Sequence, residues 1–167
     1  MTKRPSDSRE RNGTWRVLRK LSVPSEPGNE RQAMEAVASA IEYLGLTQQR
    51  LERLKTAVAE ATMNAMEHGN DYRAELPVLI EVSASDTQLS VKITDEGSGP
   101  PAFHADAPDL EAKLEGMQTA RGWGLFLIKN MVDEMNVSSD GARHTVELVF
   151  DLAKATKGGT DAGADRR

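Results

Sequence analysis

The sequence predicts an α+β fold, a two-layer sandwich in which a mostly antiparallel sheet is covered on one face by three helices. Three observations predict it. Apolar residues alternate strictly over 15–23, 78–82, 89–93 and 146–150, so each of these strands has one apolar face. Three other segments repeat apolar residues at three- and four-residue steps, the stripe of an amphipathic helix. Strands with a single apolar face need helices on that face alone, and no internal repeat points to a different architecture.

Residues 1–13 are polar and mixed in charge and read as a disordered leader. Trp15, Val17, Arg19, Leu21 and Val23 then alternate on one face of a first strand, which Pro24 and the Pro27-Gly28-Asn29 cluster end. Met34, Val37, Ala38, Ile41 and Leu44 form the first helical stripe, stopped by Gly45. Thr47 is placed to cap a second helix carrying Leu51, Leu54, Val58 and Ala65, ended by His68-Gly69-Asn70. Val78, Ile80 and Val82, then Leu89, Val91 and Ile93, make a hairpin turning around Ser85-Asp86-Thr87. From 97 to 122 periodicity is lost, with Pro100, Pro101 and Pro108 and a short helix at 110–116; so long an irregular stretch inside a domain suggests a lid or binding loop. Leu125, Ile128, Val132 and Met135 give a third helix, Val146, Leu148 and Phe150 a last strand, and a Gly/Ala/Asp-rich tail from 153 reads as disordered. The ordered unit is therefore 14–152.

A chain of 167 residues fits one domain, and hydrophobic residues at 38% with no long apolar run leave no membrane span or signal-peptide core, which points to a cytoplasmic protein. The absence of cysteine excludes disulfides, thiol nucleophiles and sulfur-ligated metals, and His68, His104 and His144 lack zinc-site spacing. The net charge of −5 hides a basic head: residues 1–20 carry seven Lys/Arg against two Asp/Glu, leaving the body at −10. An acidic body argues against direct nucleic-acid binding, which needs a basic face to displace counterions.

Three motifs carry chemistry. Glu60 and Asn64 stand one helical turn apart, roughly 180° and 220° from Leu51 at 100° per residue, hence away from the apolar stripe. Such a pair can take a proton and complete a magnesium shell beside phosphate oxygens, or can be two ordinary exposed helix residues. Asp95 closes an apolar strand just before Gly97 and Gly99; a carboxylate there can accept a hydrogen bond from an exocyclic amine such as that of adenine, or can cap a surface turn. Arg121-Gly122-Trp123-Gly124-Leu125 leads into a helix whose N-terminus suits phosphate. Arg121 can approach a terminal phosphate or be a plain surface residue; His68 reads as holding the helix end, and Trp123 as core.

Taken together and in order, Glu60-x-x-x-Asn64-x-x-x-His68-Gly69, Asp95-x-Gly97-x-Gly99 and Gly122-x-Gly124-Leu125 resemble the N, G1 and G2 boxes of the GHKL (Bergerat-fold) ATPases, over roughly 15–152. Within them the chain resembles the bacterial anti-sigma-factor serine/threonine kinases. The resemblance implies ATP and Mg²⁺ as cofactors, with Asn64 on the metal, Asp95 on the adenine amine, and Gly97, Gly99, Gly122, Gly124 and Leu125 shaping the pocket and an ATP lid at about 97–122. It puts Thr145 near the adenine and Asp95, and makes Glu60 the general base for a serine of a protein substrate. It implies as partners a STAS-domain anti-anti-sigma factor, a sigma factor and a second copy of the chain, paired through the first strand. The chain departs from the family's lid pattern in its basic residues, having only Arg121 and Lys113 there. Two other readings share the boxes: a nucleotide-dependent binding switch without kinase activity, and a detached histidine-kinase catalytic domain, for which no phospho-accepting helix pair precedes the domain.

Overall fold

The computed structural model describes residues 13–97 and 121–155, and of 121–123, 154 and 155 the backbone alone. The elements follow in the order β1 (Arg16–Val23), α1 (Asn29–Ala40), α2 (Gln48–Asn64), β2 (Val78–Ala84), β3 (Gln88–Asp95), α3 (Arg121–Met131), β4 (Glu134–Asp140) and β5 (Arg143–Asp151), closed by a helical turn at Leu152–Ala155. The strands form one antiparallel sheet in the order β1-β2-β3-β5-β4. α1 packs on α2 and α2 on α3, so the predicted sandwich of sheet and three helices is the observed one. Among the described residues no helix is long and apolar enough to cross a membrane.

Side-chain parity organises the core. Val78, Ile80 and Val82, then Leu89, Val91, Ile93 and Asp95, then His144, Val146, Leu148 and Phe150 are all buried, and they meet Val37, Ile41, Leu54, Val58, Met66, Leu125 and Ile128 from the helices. At about 25 cal/mol per Å² of apolar surface, each of the larger side chains contributes roughly 1.5–3 kcal/mol when fully buried. The Thr47 hydroxyl caps α2 as expected, accepting the Arg50 N–H at 3.3 Å. The hairpin between β2 and β3 turns on Ser85, whose hydroxyl accepts the amides of Thr87 and Gln88.

Two elements differ from the pattern reading. β1 carries a register shift at Leu18, between Val17 and Arg19, so Leu18, Leu21 and Val23 turn toward the core while Trp15 and Val17 are exposed. An extra residue in one strand reverses the parity of everything before it. The third helix ends at Met131, and Met135 lies instead in β4, opposite Leu148. The stop is made by Asp133: its backbone N–H donates to Val149 O at 3.0 Å, and its carboxylate accepts the Asp151 amide at 2.7 Å and the Arg50 guanidinium. β4 was missed because it is a polar edge strand, with residues 137–140 exposed and no alternation to read.

Candidate functional site

The three motifs, distant in sequence, meet at the C-terminal end of α2. α2 turns Leu54, Ala57, Val58, Ala61 and Thr62 into the core, which leaves Glu60 and Asn64 half-buried at the margin of the helix, one turn apart. After Asn64 the backbone widens into a π-helical turn, Ala65–Gly69, in which the Asn70 N–H reaches back to Ala65 O at 2.9 Å. Such single wide turns concentrate at functional sites because they redirect the helix end without breaking its hydrogen bonds. Asp71 and Tyr72 follow with φ of 52° and 49°, a left-handed pair that costs energy for residues with a Cβ.

Asn70 holds that strained exit in place. It is 1% exposed; its Nδ2 donates to Ser25 Oγ at 2.9 Å, Leu76 O at 2.9 Å and Pro77 O at 3.2 Å, and its Oδ1 accepts the Glu96 N–H at 2.9 Å. The last bond ties the end of the first motif to the second. In the sequence Asn70 is marked only as part of a helix end; a buried asparagine between a left-handed exit and a strand end is visible as a clamp only once its partners are placed. His68 sits half-buried beside it, its Nε2 3.7 Å from Glu67 Oε2.

Glycine is required at two of these positions by close approach. A Cβ on Gly69 would stand 2.3 Å from Asp95 Cγ and 2.4 Å from its Oδ2, and one on Gly97 would stand 1.5 Å from Gly69 O. The two glycines interlock the end of α2 with the end of β3, and Asp95 is set between them.

Asp95 is 4% exposed and shares the core-facing parity of Leu89, Val91 and Ile93. Opposite it in register is His144, whose Nδ1 lies 3.0 Å from Asp95 Oδ1. Burial pushes the Asp95 carboxyl above its ordinary value, against the opposing pull of the His144 ring and of the backbone amides of Gly97 and His144. Thr145 is one residue away and on the other face of the sheet: it pairs with Thr94, the two hydroxyls 2.8 Å apart. The expected place of Thr145 beside Asp95 is therefore taken by His144. The signal was present in the sequence, since the apolar alternation Val146, Leu148, Phe150 extends backward to 144 and not to 145.

The third motif reaches the site through Gly124. A Cβ there would lie 3.1 Å from Asn64 Nδ2 and 3.3 Å from its Oδ1, so the first turns of α3 rest on the Asn64 amide, anchored by buried Leu125 and Ile128. Among the described residues Asn64 Nδ2 is buried without a hydrogen-bond partner. An orphaned donor of this kind costs about 1–3 kcal/mol and is met by an incoming acceptor such as a phosphate oxygen. The amide oxygen beside it fits a hard cation that keeps water and phosphate in its shell, which is how Mg²⁺ is held on nucleotides. Among the described residues no cluster of three His, Cys, Asp or Glu builds an all-protein cation cage. Gly122 lies in the first turn of α3; Gly99, Lys113, the helix at 110–116, most of the 97–122 loop, the two termini and the side chains of Arg121 and Trp123 lie outside the described residues.

Residues 23–150 match the family model described as the histidine kinase-like ATPase domain. The anti-sigma F factor of Oceanobacillus iheyensis is 32% identical over 142 residues, covering 81% of this chain and 92% of that protein, and the anti-sigma F factor of Bacillus subtilis is 32% identical over 134 residues, covering 76% and 87%. Two solved structures share the fold at 15% identity. One is that of the SiaB-SiaC complex from Pseudomonas aeruginosa, with a TM-score of 0.60 over 81% of this chain and 90% of the matched one. The other is that of the RsbU and RsbW domains of Rv1364c from Mycobacterium tuberculosis, with a TM-score of 0.55 over 79% and 32%.

Proposed function

Because the chain belongs to the histidine kinase-like ATPase domain family and, within it, to the anti-sigma F factor family, we propose that it is an ATP-dependent serine protein kinase and anti-sigma factor that works by partner switching. Its substrate is a serine of a STAS-domain anti-anti-sigma antagonist, and in the alternative complex it sequesters a sigma factor. The observation that carries this reading is the convergence of the three motifs: Gly69 and Gly97 locked around Asp95, and Gly124 resting on Asn64.

In the reaction the serine O–H loses its proton to Glu60, the serine oxygen takes the γ-phosphoryl group of ATP, and ADP leaves. Asn64 binds the phosphate end, Asp95 accepts from the adenine amine, and Gly97, Gly122, Gly124 and Leu125 shape the pocket; Gly99 and Arg121 keep the roles that the family resemblance implies for them. Mg²⁺ held with Asn64 would neutralise charge building on the phosphate oxygens. Phosphoryl transfer asks the protein mainly for alignment, and the placement of Glu60 one turn from Asn64 on the same helix margin supports it as the base. The same reading places the protein in the cytoplasm, where a sigma factor meets RNA polymerase, and as a homodimer through β1. Among the described residues that strand is a sheet edge paired with β2 alone, with Trp15 just before it and Val17 within it exposed, an edge that needs covering.

The test is affinity capture from host lysate with Mg-ATP, with mass spectrometry of bound proteins and their phosphosites, repeated with Glu60→Ala. A captured STAS-domain protein carries phosphoserine with the native chain, and the phosphoserine falls by about 100-fold or more with Glu60→Ala, in line with loss of a general base. Undiminished phosphorylation removes Glu60 from its role; a sigma factor held with no phosphorylated antagonist turns the reading to a pure switch, and a phosphohistidine protein turns it to two-component signalling.

A further inference from the structure

We infer that His144 is a positioning residue for base recognition: its Nδ1–H holds the Asp95 carboxylate as an acceptor only, so that the site takes a 6-amino purine and rejects a 6-keto one. The inference rests on the reading of Asp95 as the group that meets the base.

The carboxylate is boxed from two sides. Oδ1 lies 3.0 Å from the His144 ring, and the backbone of Gly69 closes on the Oδ2 side, leaving no room there for even a methyl group. Both residues are buried, at 4% and 6% exposure, and face each other in register across β3 and β5. Burial alone favours the neutral acid. A neutral carboxyl owns an O–H that can rotate to donate to a 6-keto oxygen, whereas an ionised one only accepts and leaves a keto oxygen facing another acceptor. A ring N–H donated to Oδ1 favours the ionised form and fixes its plane, leaving further lone pairs for an exocyclic amine. A site built to hydrogen-bond one group discriminates strongly against the analogue that lacks it. This role is separate from Thr145, whose hydroxyl is spent on Thr94 on the far face of the sheet.

The experiment is the ratio of dissociation constants for MgITP and MgATP, inosine having a 6-keto group where adenosine has the amine. It is measured on the full chain and on His144→Leu, His144→Asn and His144→Gln, with folding followed by circular dichroism. The asparagine amide nitrogen falls near the position of Nδ1, the glutamine nitrogen near Nε2. The native chain prefers MgATP by tenfold or more; His144→Leu lowers that ratio about tenfold, His144→Asn keeps it within about threefold, and His144→Gln loses it. A ratio unchanged in His144→Leu overturns the inference, as does an equal ratio in the Asn and Gln variants should the Leu variant not fold. A ¹⁵N spectrum showing Nδ1 of His144 without its proton overturns it as well. A native chain with no preference between MgATP and MgITP sinks instead the reading of Asp95 as the base reader, so the two failures are told apart.

Discussion

Two asparagines at the end of α2, six residues apart, are in opposite polar situations. Asn70 has its amide committed on both sides, to Ser25, Leu76 and Pro77 through Nδ2 and to Glu96 through Oδ1. Asn64 keeps a buried Nδ2, under Gly124, with no partner among the described residues. The π-turn between them separates a clamp from a shelf. A satisfied buried amide stabilises and fixes geometry, while an unsatisfied one is a cost the fold carries and a ligand can relieve. Stability and binding are thus assigned to neighbouring residues of one chemical type.

The comparison breaks most visibly at the clamp's glycine. Gly97→Ala drives a methyl into Gly69 O, a backbone atom that no rotamer change can move aside, and urea denaturation is expected to show a loss of about 3 kcal/mol or more. Next comes the pair itself. Asn70→Ala strands the Glu96 N–H and the Pro77 carbonyl and leaves Leu76 O to the Ser25 hydroxyl, and is expected to cost about 3 kcal/mol, whereas Asn64→Ala stays within about 1 kcal/mol of the native chain. Calorimetric titration with MgATP reverses the order of effects, with the folded Asn64→Ala losing about 100-fold in affinity. Equal destabilisation by both would show that Asn64 is structural too.

Gly124→Ala sharpens the shelf. Its methyl meets the Asn64 amide at 3.1 Å, and because no described residue holds Nδ2 the amide can yield; the gain in helix propensity, up to about 1 kcal/mol, offsets the contact. Little change in thermal midpoint with about a tenfold loss of MgATP affinity is expected.

The smallest effect concerns Asp95 and its sign is set by burial. Since its folded-state pKa is raised, the contribution of its titration to stability is fully present below the unfolded value and is lost as pH rises through the folded one, so the ionised carboxylate is a burden at neutral pH. Asp95→Asn is expected to raise the melting midpoint slightly at pH 7, within about 2 °C, with the difference vanishing on acidification below about pH 4, while MgATP affinity falls. A lower midpoint at pH 7 would mean that the His144 contact outweighs burial.

Much of this was legible beforehand. The hairpin of β2 and β3, the Thr47 cap and the stripes of α1 and α2 follow from periods of 2 and 3.6 and from residue chemistry acting within a few positions, while Glu60, Asn64, Asp95, Gly97 and Gly124 are singled out by the order and spacing of three motifs that resemble a known family. Tertiary structure decided the rest. The shift at Leu18 that turns Trp15 and Val17 outward, the stop at Met131 imposed by Asp133, the exchange of Thr145 for His144 beside Asp95, and the reason Gly69 and Gly97 admit no side chain all depend on which segments lie against each other. Periodicity states which face of a strand is apolar, but the register between strands some fifty residues apart states which side chains meet. Alternation through Val146, Leu148 and Phe150 puts position 144 rather than 145 on the apolar face, but register is set by packing of the whole core, and only the pairing of β3 with β5 brings His144 against Asp95.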